Sequence, residues 1–237
     1  MNELLWIILL LINFGAVLLA FRFFGKTGLY IWVAISAILA NIQVLKTVEL
    51  FGLVATLGNI IYGTSFLATD ILSEIYGRKE AQKAVWIGSF TLVITTVIMQ
   101  ICLLFIPDAS DFAQDALVTI FKFFPRIVAA SMIAYVVSQS HDVWAYEMWK
   151  KKFSSDKQIW IRNNLSTMVS QLIDSVVFCF IAFIGVFEWN VLLSILVTTY
   201  LLKWVVAACD TPFVYIAKKM VDGADGEMHT LKSESLA

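Results

Sequence analysis

The chain has 237 residues, 60% of them hydrophobic, and a formal net charge of -1. Soluble domains hold about 45–50% apolar residues, so this composition excludes an ordinary soluble fold, and the near-neutral charge gives no footing for a nucleic-acid partner. Cys102, Cys179 and Cys209 stand apart in hydrophobic stretches without Cys-x-x-Cys or Cys/His spacing, so neither a disulfide framework nor a zinc site is expected.

A spanning helix needs about 20 mostly apolar residues. The apolar runs predict seven spans, at 4–21, 29–47, 52–73, 84–106, 125–147, 164–186 and 190–216. The first follows Met1, Asn2 and Glu3, with no basic segment ahead of it. That pattern suits a retained span rather than a cleaved signal. Spans two and three lie close together, with only Val48 to Phe51 between them. Between Asp108 and Phe124, the residues Phe112, Ala116, Ile120 and Phe124 fit one face of an interfacial helix. Pro125 then suits the first turn of span five. The expected fold is an all-α integral membrane protein, a polytopic bundle of about seven transmembrane helices. Residues 1–221 form one transmembrane domain and 222–237 a short polar, disordered cytoplasmic tail.

The basic residues fix an expected orientation. Arg22 and Lys26 follow span one; Arg78, Lys79 and Lys83 follow span three. Lys150, Lys151, Lys152, Lys157 and Arg162 follow span five, and Lys218, Lys219 and Lys232 follow span seven. The alternate loops are poor in Lys and Arg, and the loop after span four carries Asp108, Asp111 and Asp115. Lys and Arg accumulate on the cytoplasmic side. Seven spans with the N-terminus outside and the C-terminus inside follow; six spans would leave one basic loop outside.

Polar residues inside the spans mark where function sits. Span three carries Asn59, Tyr62, Thr64, Asp70, Ser73 and Glu74, and span two carries Ser36, Asn41, Gln43, Lys46 and Thr47. A carboxylate in hydrocarbon costs about 2.5–3.5 kcal/mol on insertion scales, so such residues face a bundle interior or a wet cavity. In span five, Ser131, Tyr135, Ser138 and Asp142 fall at i, i+4, i+7 and i+11; in span six, Asn163, Thr167, Ser170 and Asp174 repeat that spacing. Both spans contain Ser-Gln-x-x-Asp, a hint of an internal repeat. Each set forms one helical stripe, and the two stripes suggest a shared polar core. Ser36, Thr64, Ser131 and Ser166 read as helix-packing residues. Lys46, Arg126 and Lys203 read as ion-pair partners for the acids, with Asp142 as a coupling candidate. His141 reads as an interfacial histidine, and Trp6, Trp32, Trp86, Trp144, Trp160 and Trp189 as part of an aromatic belt. No His-Glu-x-x-His, Gly-x-Ser-x-Gly, P-loop or Rossmann glycine pattern occurs. Transport is therefore expected over catalysis, with no metal and no cofactor.

The blocks ANIQVLKTVELFG (Ala40–Gly52), YGTSFLATDILSEIYGRKEA (Tyr62–Ala81), WIRNNLSTMVSQLIDS (Trp160–Ser175) and YLLKWVVAACDTPFVY (Tyr200–Tyr215) resemble the queuosine precursor transporter family, also grouped with vitamin uptake transporters. The resemblance runs from about residue 30 to 218. It implies import of queuosine precursors, 7-deazaguanine bases used to modify tRNA, across a bacterial plasma membrane. A guanine-like edge presents an N–H beside an amino group, which one carboxylate accepts together, so Asp70, Glu74 and Asp174 are candidate ligands. Asn41, Gln43 and Gln171 offer amide donors and acceptors, Lys46 a cation, and Tyr62, Phe66 and Tyr135 flat faces for stacking. An aminomethyl-bearing precursor is cationic and adds a second need for a carboxylate. Expected partners are the small-molecule base and membrane lipid, with self-association allowed and no nucleic acid. Two other readings stand beside this one: a substrate-binding subunit of an ATP-driven vitamin importer, and a non-transporting scaffold that uses its polar residues as helix glue.

Overall fold

A computed structural model describes residues 1–152 and 159–234. Side chains are described except at 139–140, 142–143, 146–147, 149–152, 159–167, 207–208, 211 and 222–234. Seven helices and one hairpin occur among the described residues: α1 (Asn2–Gln43), β1 (Thr47–Leu50), β2 (Leu53–Thr56), α2 (Gly58–Tyr76), α3 (Arg78–Cys102), α4 (Gln114–Phe121), α5 (Phe124–Lys152), α6 (Ile159–Phe183) and α7 (Trp189–Glu234).

The all-α expectation holds apart from the hairpin. Among the described residues, four stretches are long and apolar enough to cross a membrane: Asn2–Gln43, Arg78–Cys102, Gln114–Ser138 and Trp189–Val206. α1, at 42 residues, is about 63 Å of helix, twice what a bilayer core requires. It is broken at Gly25, whose φ of 55° and ψ of -137° no helix contains. Only glycine reaches that conformation cheaply. The expected spans one and two are thus the two halves of one interrupted helix.

The expected start of span three is corrected. Residues 47–56 form an antiparallel hairpin with Thr47 opposite Thr56 and Leu50 opposite Leu53. Its turn residues Phe51 and Gly52 both have positive φ, 53° and 78°, as the tight hairpin turn demands. Leu57 N–H donates to the Lys46 carbonyl and closes its base. Apolar content alone cannot separate a strand pair from a span here, because Val48, Leu50, Leu53 and Val54 serve both. Two further boundaries move. Arg78, Lys79 and Lys83 lie in the opening turns of α3, not in a loop, since Gly77 (φ 90°) separates α2 from α3 by a single residue. The tail expected to be disordered continues α7 as helix to Glu234.

The chain divides into two compact units. The first comprises residues 1–46, 57–95 and 202–237: α1, α2, most of α3 and the later part of α7. Phe14, Leu29, Ile60, Leu67, Ile71 and Leu72 form its fully buried core, with Phe14 packed on Phe213 at 4.6 Å between ring centres. The second comprises residues 47–56 and 96–201: the hairpin, α4, α5, α6 and the beginning of α7. Its core is built on Phe124, Ile127, Phe183, Leu192 and Ile195. Within it, Val54 N–H donates to Ser194 Oγ at 2.8 Å and Thr198 Oγ1 donates to the Val54 carbonyl at 2.9 Å. Those two hydroxyls satisfy backbone groups of a hairpin edge, which in a bilayer has no water to turn to. Asp111 Oδ1 accepts the Ala113 and Gln114 N–H groups and starts α4, near the interfacial helix expected there. In the loop before it, Ser110 donates its hydroxyl and backbone N–H to Asp108, which holds that carboxyl below its ordinary range.

Large apolar side chains remain open on both units, among them Leu11, Phe23, Phe24, Trp86, Phe90, Ile98 and Trp189. Exposed apolar area on this scale suits contact with lipid.

Candidate functional site

In the first unit, α2 and the later part of α7 face one another through three contacts and one electrostatic influence, taken in order. Lys203 Nζ stands 5.7 Å from the Tyr62 ring centre. Gly63 lies against Val206 so closely that a side chain at 63 would strike the valine methyls. Asp70 feels the like charge of Asp210. Lys218 Nζ then donates to Glu74 Oε1 at 2.7 Å. Numbering rises along both helices together, so the two segments run parallel. Tyr62, Phe66 and Asp70 recur at four-residue steps on one stripe of α2, while Lys203, Val206 and Asp210 share a face of α7.

This strip carries chemistry from end to end. Tyr62 and Phe66 meet edge to face at 5.0 Å, a common aromatic geometry. Asp210 is buried (7% exposed), whereas Asp70, Glu74 and Lys218 are open. Pro212 lies within α7 and supplies no N–H to the carbonyl four residues back. α1 packs behind α2: Trp32 Nε1 donates to the buried Thr64 Oγ1 at 3.2 Å. Trp32 thereby joins two helices rather than serving only an interfacial belt. Thr64 and Ser36 turn their own hydroxyl protons onto Ile61 and Val33 carbonyls of their own helices, as packing residues do. Asn41 is buried and donates to the Ala37 carbonyl at 2.7 Å. Gln43 is half-buried in the last turn of α1, and Lys46 is exposed in the turn leading to the hairpin.

The second unit holds the other set. Ser138 Oγ of α5 donates to Asp174 Oδ1 of α6 at 3.3 Å, and His141 Nδ1 meets Ser170 Oγ at 3.0 Å. As numbering rises on α5 it falls on α6, so the helices are antiparallel and their polar stripes meet. His141 therefore belongs to that polar seam, not to an interface alone. Gln171 is half-buried and Tyr135 is exposed. The side chains of Asp142, Asn163, Ser166 and Thr167 lie outside the described residues, as do those of Lys150 to Lys152, Lys157, Trp160, Arg162, Thr211 and Lys232. Arg126 does not sit on an acid in the described contacts. Its Nε and Nη2 donate to the Ile181 and Ile184 carbonyls at 2.7 and 2.6 Å. A cation there complements the open carbonyls of a helix C-terminus.

Two features were not singled out from sequence. Asp210 is one; its signal was present, a lone carboxylate in the apolar run before Pro212. The other is a corner beside the Gly25 break. There Tyr30 donates to Glu80 and Lys26 pairs with the same carboxylate at 3.2 Å. Lys26 also lies over Tyr76 and Lys83 over Tyr30, at 5.7 and 5.6 Å. No metal-binding group of His, Cys, Asp and Glu occurs among the described residues.

Comparison with known proteins places this architecture. The model of the family described as "Putative vitamin uptake transporter" matches residues 56–217, which include α2, α3, α5, α6 and the α7 strip. A Bacillus subtilis (strain 168) protein named "Probable queuosine precursor transporter" is 49% identical over 220 residues, covering 93% of this chain and 96% of its own. A Haemophilus influenzae protein of the same name is 29% identical over 56% of this chain and 54% of its own. The "Queuosine precursor transporter" of Escherichia coli (strain K12) is 26% identical over 61% of this chain and 62% of its own. No solved structure matches. The chain is a multi-pass membrane transporter and belongs to the queuosine precursor transporter family, within the vitamin uptake transporters.

Proposed function

We propose that this protein imports queuosine precursors, 7-deazaguanine bases, across a bacterial plasma membrane for use in tRNA modification. The observation that carries the reading is the parallel α2–α7 strip: carboxylates and an edge-to-face aromatic pair on one surface, in a chain nearly half identical to a protein named for this transport. In this reading Asp70 accepts the adjacent N–H and amino groups of the base, and Tyr62 or Phe66 stacks on its ring. Asn41 and Gln43 bond its carbonyl and ring nitrogens, and Gln171 is a candidate amide within the second unit. Asp174 on the α5–α6 seam is a second carboxylate for substrate or for coupling. Glu74 and Lys46 flank the path, and Tyr135 offers a further face. The N-terminus lies outside and the C-terminus in the cytoplasm, as the basic residues order it. Proton coupling through the intramembrane carboxylates and facilitated diffusion with metabolic trapping are the two energy sources to be separated, with Asp142 and Lys203 as coupling candidates.

The test is queuosine content of tRNA in cells that cannot make the precursors, with and without this protein, fed free base. Restoration that is lost in correctly inserted Asp70→Asn supports the reading. Absence of restoration with every precursor, despite verified insertion, overturns it. Collapse of uptake by a protonophore tests the energy source.

A further inference from the structure

The buried residues in the first half of α1 include Trp6, Leu10, Phe14, Val17 and Phe21, which recur at three- and four-residue steps and form one stripe. Two of them fix where that stripe lies. Phe14 packs on Phe213 of α7, and Phe21 meets Tyr76 of α2 at 6.4 Å between ring centres. The Gly63–Val206 and Glu74–Lys218 contacts put Tyr76 level with Lys219 to Met220 on α7. From Phe14 to Phe21 the stripe therefore advances seven residues while its neighbours advance six to seven. This half of α1 runs parallel to both α2 and α7. Continued back to Trp6, the same register reaches Ile61 of α2 and Val205 of α7. Trp6 thus stands level with the Tyr62–Lys203 and Gly63–Val206 contacts, at the opening end of the strip.

An interfacial belt, the place expected for Trp6, keeps the indole N–H at water or headgroups. Trp6 is instead 6% exposed, and its Nε1 has no hydrogen-bond acceptor among the described residues. An indole has one donor and no acceptor, and a buried donor left unpaired costs about 1–3 kcal/mol. Nearly all buried polar atoms avoid that cost, so an exception asks for a partner. Trp6 stands nine residues, about 13 Å of helix, before the level of Asp70. A 7-deazaguanine base carries its guanine-like edge and its 7-substituent at opposite ends of one flat bicycle. With the edge on Asp70, the 7-substituent points back along the strip past Tyr62 toward Trp6. We propose that Trp6 is a further substrate-binding residue. Its indole N–H donates to an acceptor atom at the end of the 7-substituent and favours bases that carry one. This deepens the importer reading and rests on it. An ammonium group in that place offers donors only and gains nothing from the indole.

The experiment measures equilibrium binding to the full chain in detergent with two probes of one shape. In 7-cyano-7-deazaguanine the linear substituent ends in an acceptor nitrogen; in 7-ethynyl-7-deazaguanine it ends in C–H. Wild type is expected to bind the cyano base about fivefold more tightly, the scale of one hydrogen bond. Trp6→Phe keeps an apolar ring and removes the N–H. It is expected to weaken the cyano base about fivefold and to leave the ethynyl base within about twofold. Thermal melts of the ligand-free variant establish that it is folded. Equal loss of both bases in folded Trp6→Phe overturns the assignment in favour of packing alone. A Trp6→Phe protein that keeps the wild-type preference overturns it as well. A wild type that binds the two bases equally overturns it without any variant. A wild type that binds neither overturns the importer reading itself, a distinct result.

Discussion

Glu74 of α2 and Lys218 of α7 meet at 2.7 Å, about three to four turns beyond the Tyr62–Lys203 contact on the same two helices. That pair closes the parallel strip on which Asp70 feels the charge of Asp210. Both side chains are open, so the pair contributes alignment more than stability. Lys218→Glu places like charges there and is expected to lower uptake a few-fold with little change in melting temperature. The exchanged double variant, Glu74→Lys with Lys218→Glu, recovers most of the uptake. A double variant no better than the single one would show that the pair does not set the register.

Gly63 makes the close approach of α2 to α7 possible, because even a methyl there meets Val206. Valine has one stiff χ1 torsion and cannot swing aside cheaply. Gly63→Ala is expected to destabilise by about 1–3 kcal/mol, the cost of overpacking a tight contact. Val206→Ala in the same chain relieves the clash. A double-mutant cycle read by thermal unfolding in detergent measures the coupling, and additive effects would refute the contact.

Much of this arrangement was legible in the residues. Ser138, Ser170 and Asp174 stood on helical stripes because spacing fixes helical faces, and the structure joins the stripes in register. The hairpin was not legible. Thr47 to Thr56 lies in one long apolar run, and hydropathy averages across a turn that depends on the backbone of Phe51 and Gly52. The two halves of α1 were separable only because Arg22 and Lys26 interrupt the apolar run near Gly25. Asp210 escaped notice because the charge that gives it meaning, Asp70, lies 140 positions away in sequence. Arg126, read as an ion-pair candidate, donates to carbonyls at the end of another helix, a partner that sequence spacing does not show.

The Ser138–Asp174 bond separates two roles for the α5–α6 seam. If Asp174 serves transport, Asp174→Asn preserves the acceptor oxygen for Ser138 and the fold, yet lowers uptake by about tenfold or more through loss of charge. Ser138→Ala removes the same bond and leaves uptake within about twofold, with a stability loss near 0.6 kcal/mol, typical of hydrogen bonds between membrane helices. Full uptake in Asp174→Asn would reduce this seam to helix packing.

The hairpin offers the sharpest test of the second unit. Val54 has its N–H taken by Ser194 and its carbonyl bonded by Thr198, both on the first turns of α7. Removing Ser194 leaves the Val54 N–H without its partner, at about 1–3 kcal/mol; removing Thr198 costs less, because Ser194 Oγ also reaches the Val54 carbonyl at 3.4 Å. Thr198→Val keeps shape while removing the donor, and Ser194→Ala removes the acceptor. Each is expected to lower the unfolding temperature and to speed protease cleavage within 47–56. The two together add to less than the sum of the singles, because once one bond is lost the strand is freer to leave the other. Strict additivity with no change in cleavage would mean that the hairpin is held by its own ladder and its apolar face, and that the hydroxyls of α7 merely adjoin it.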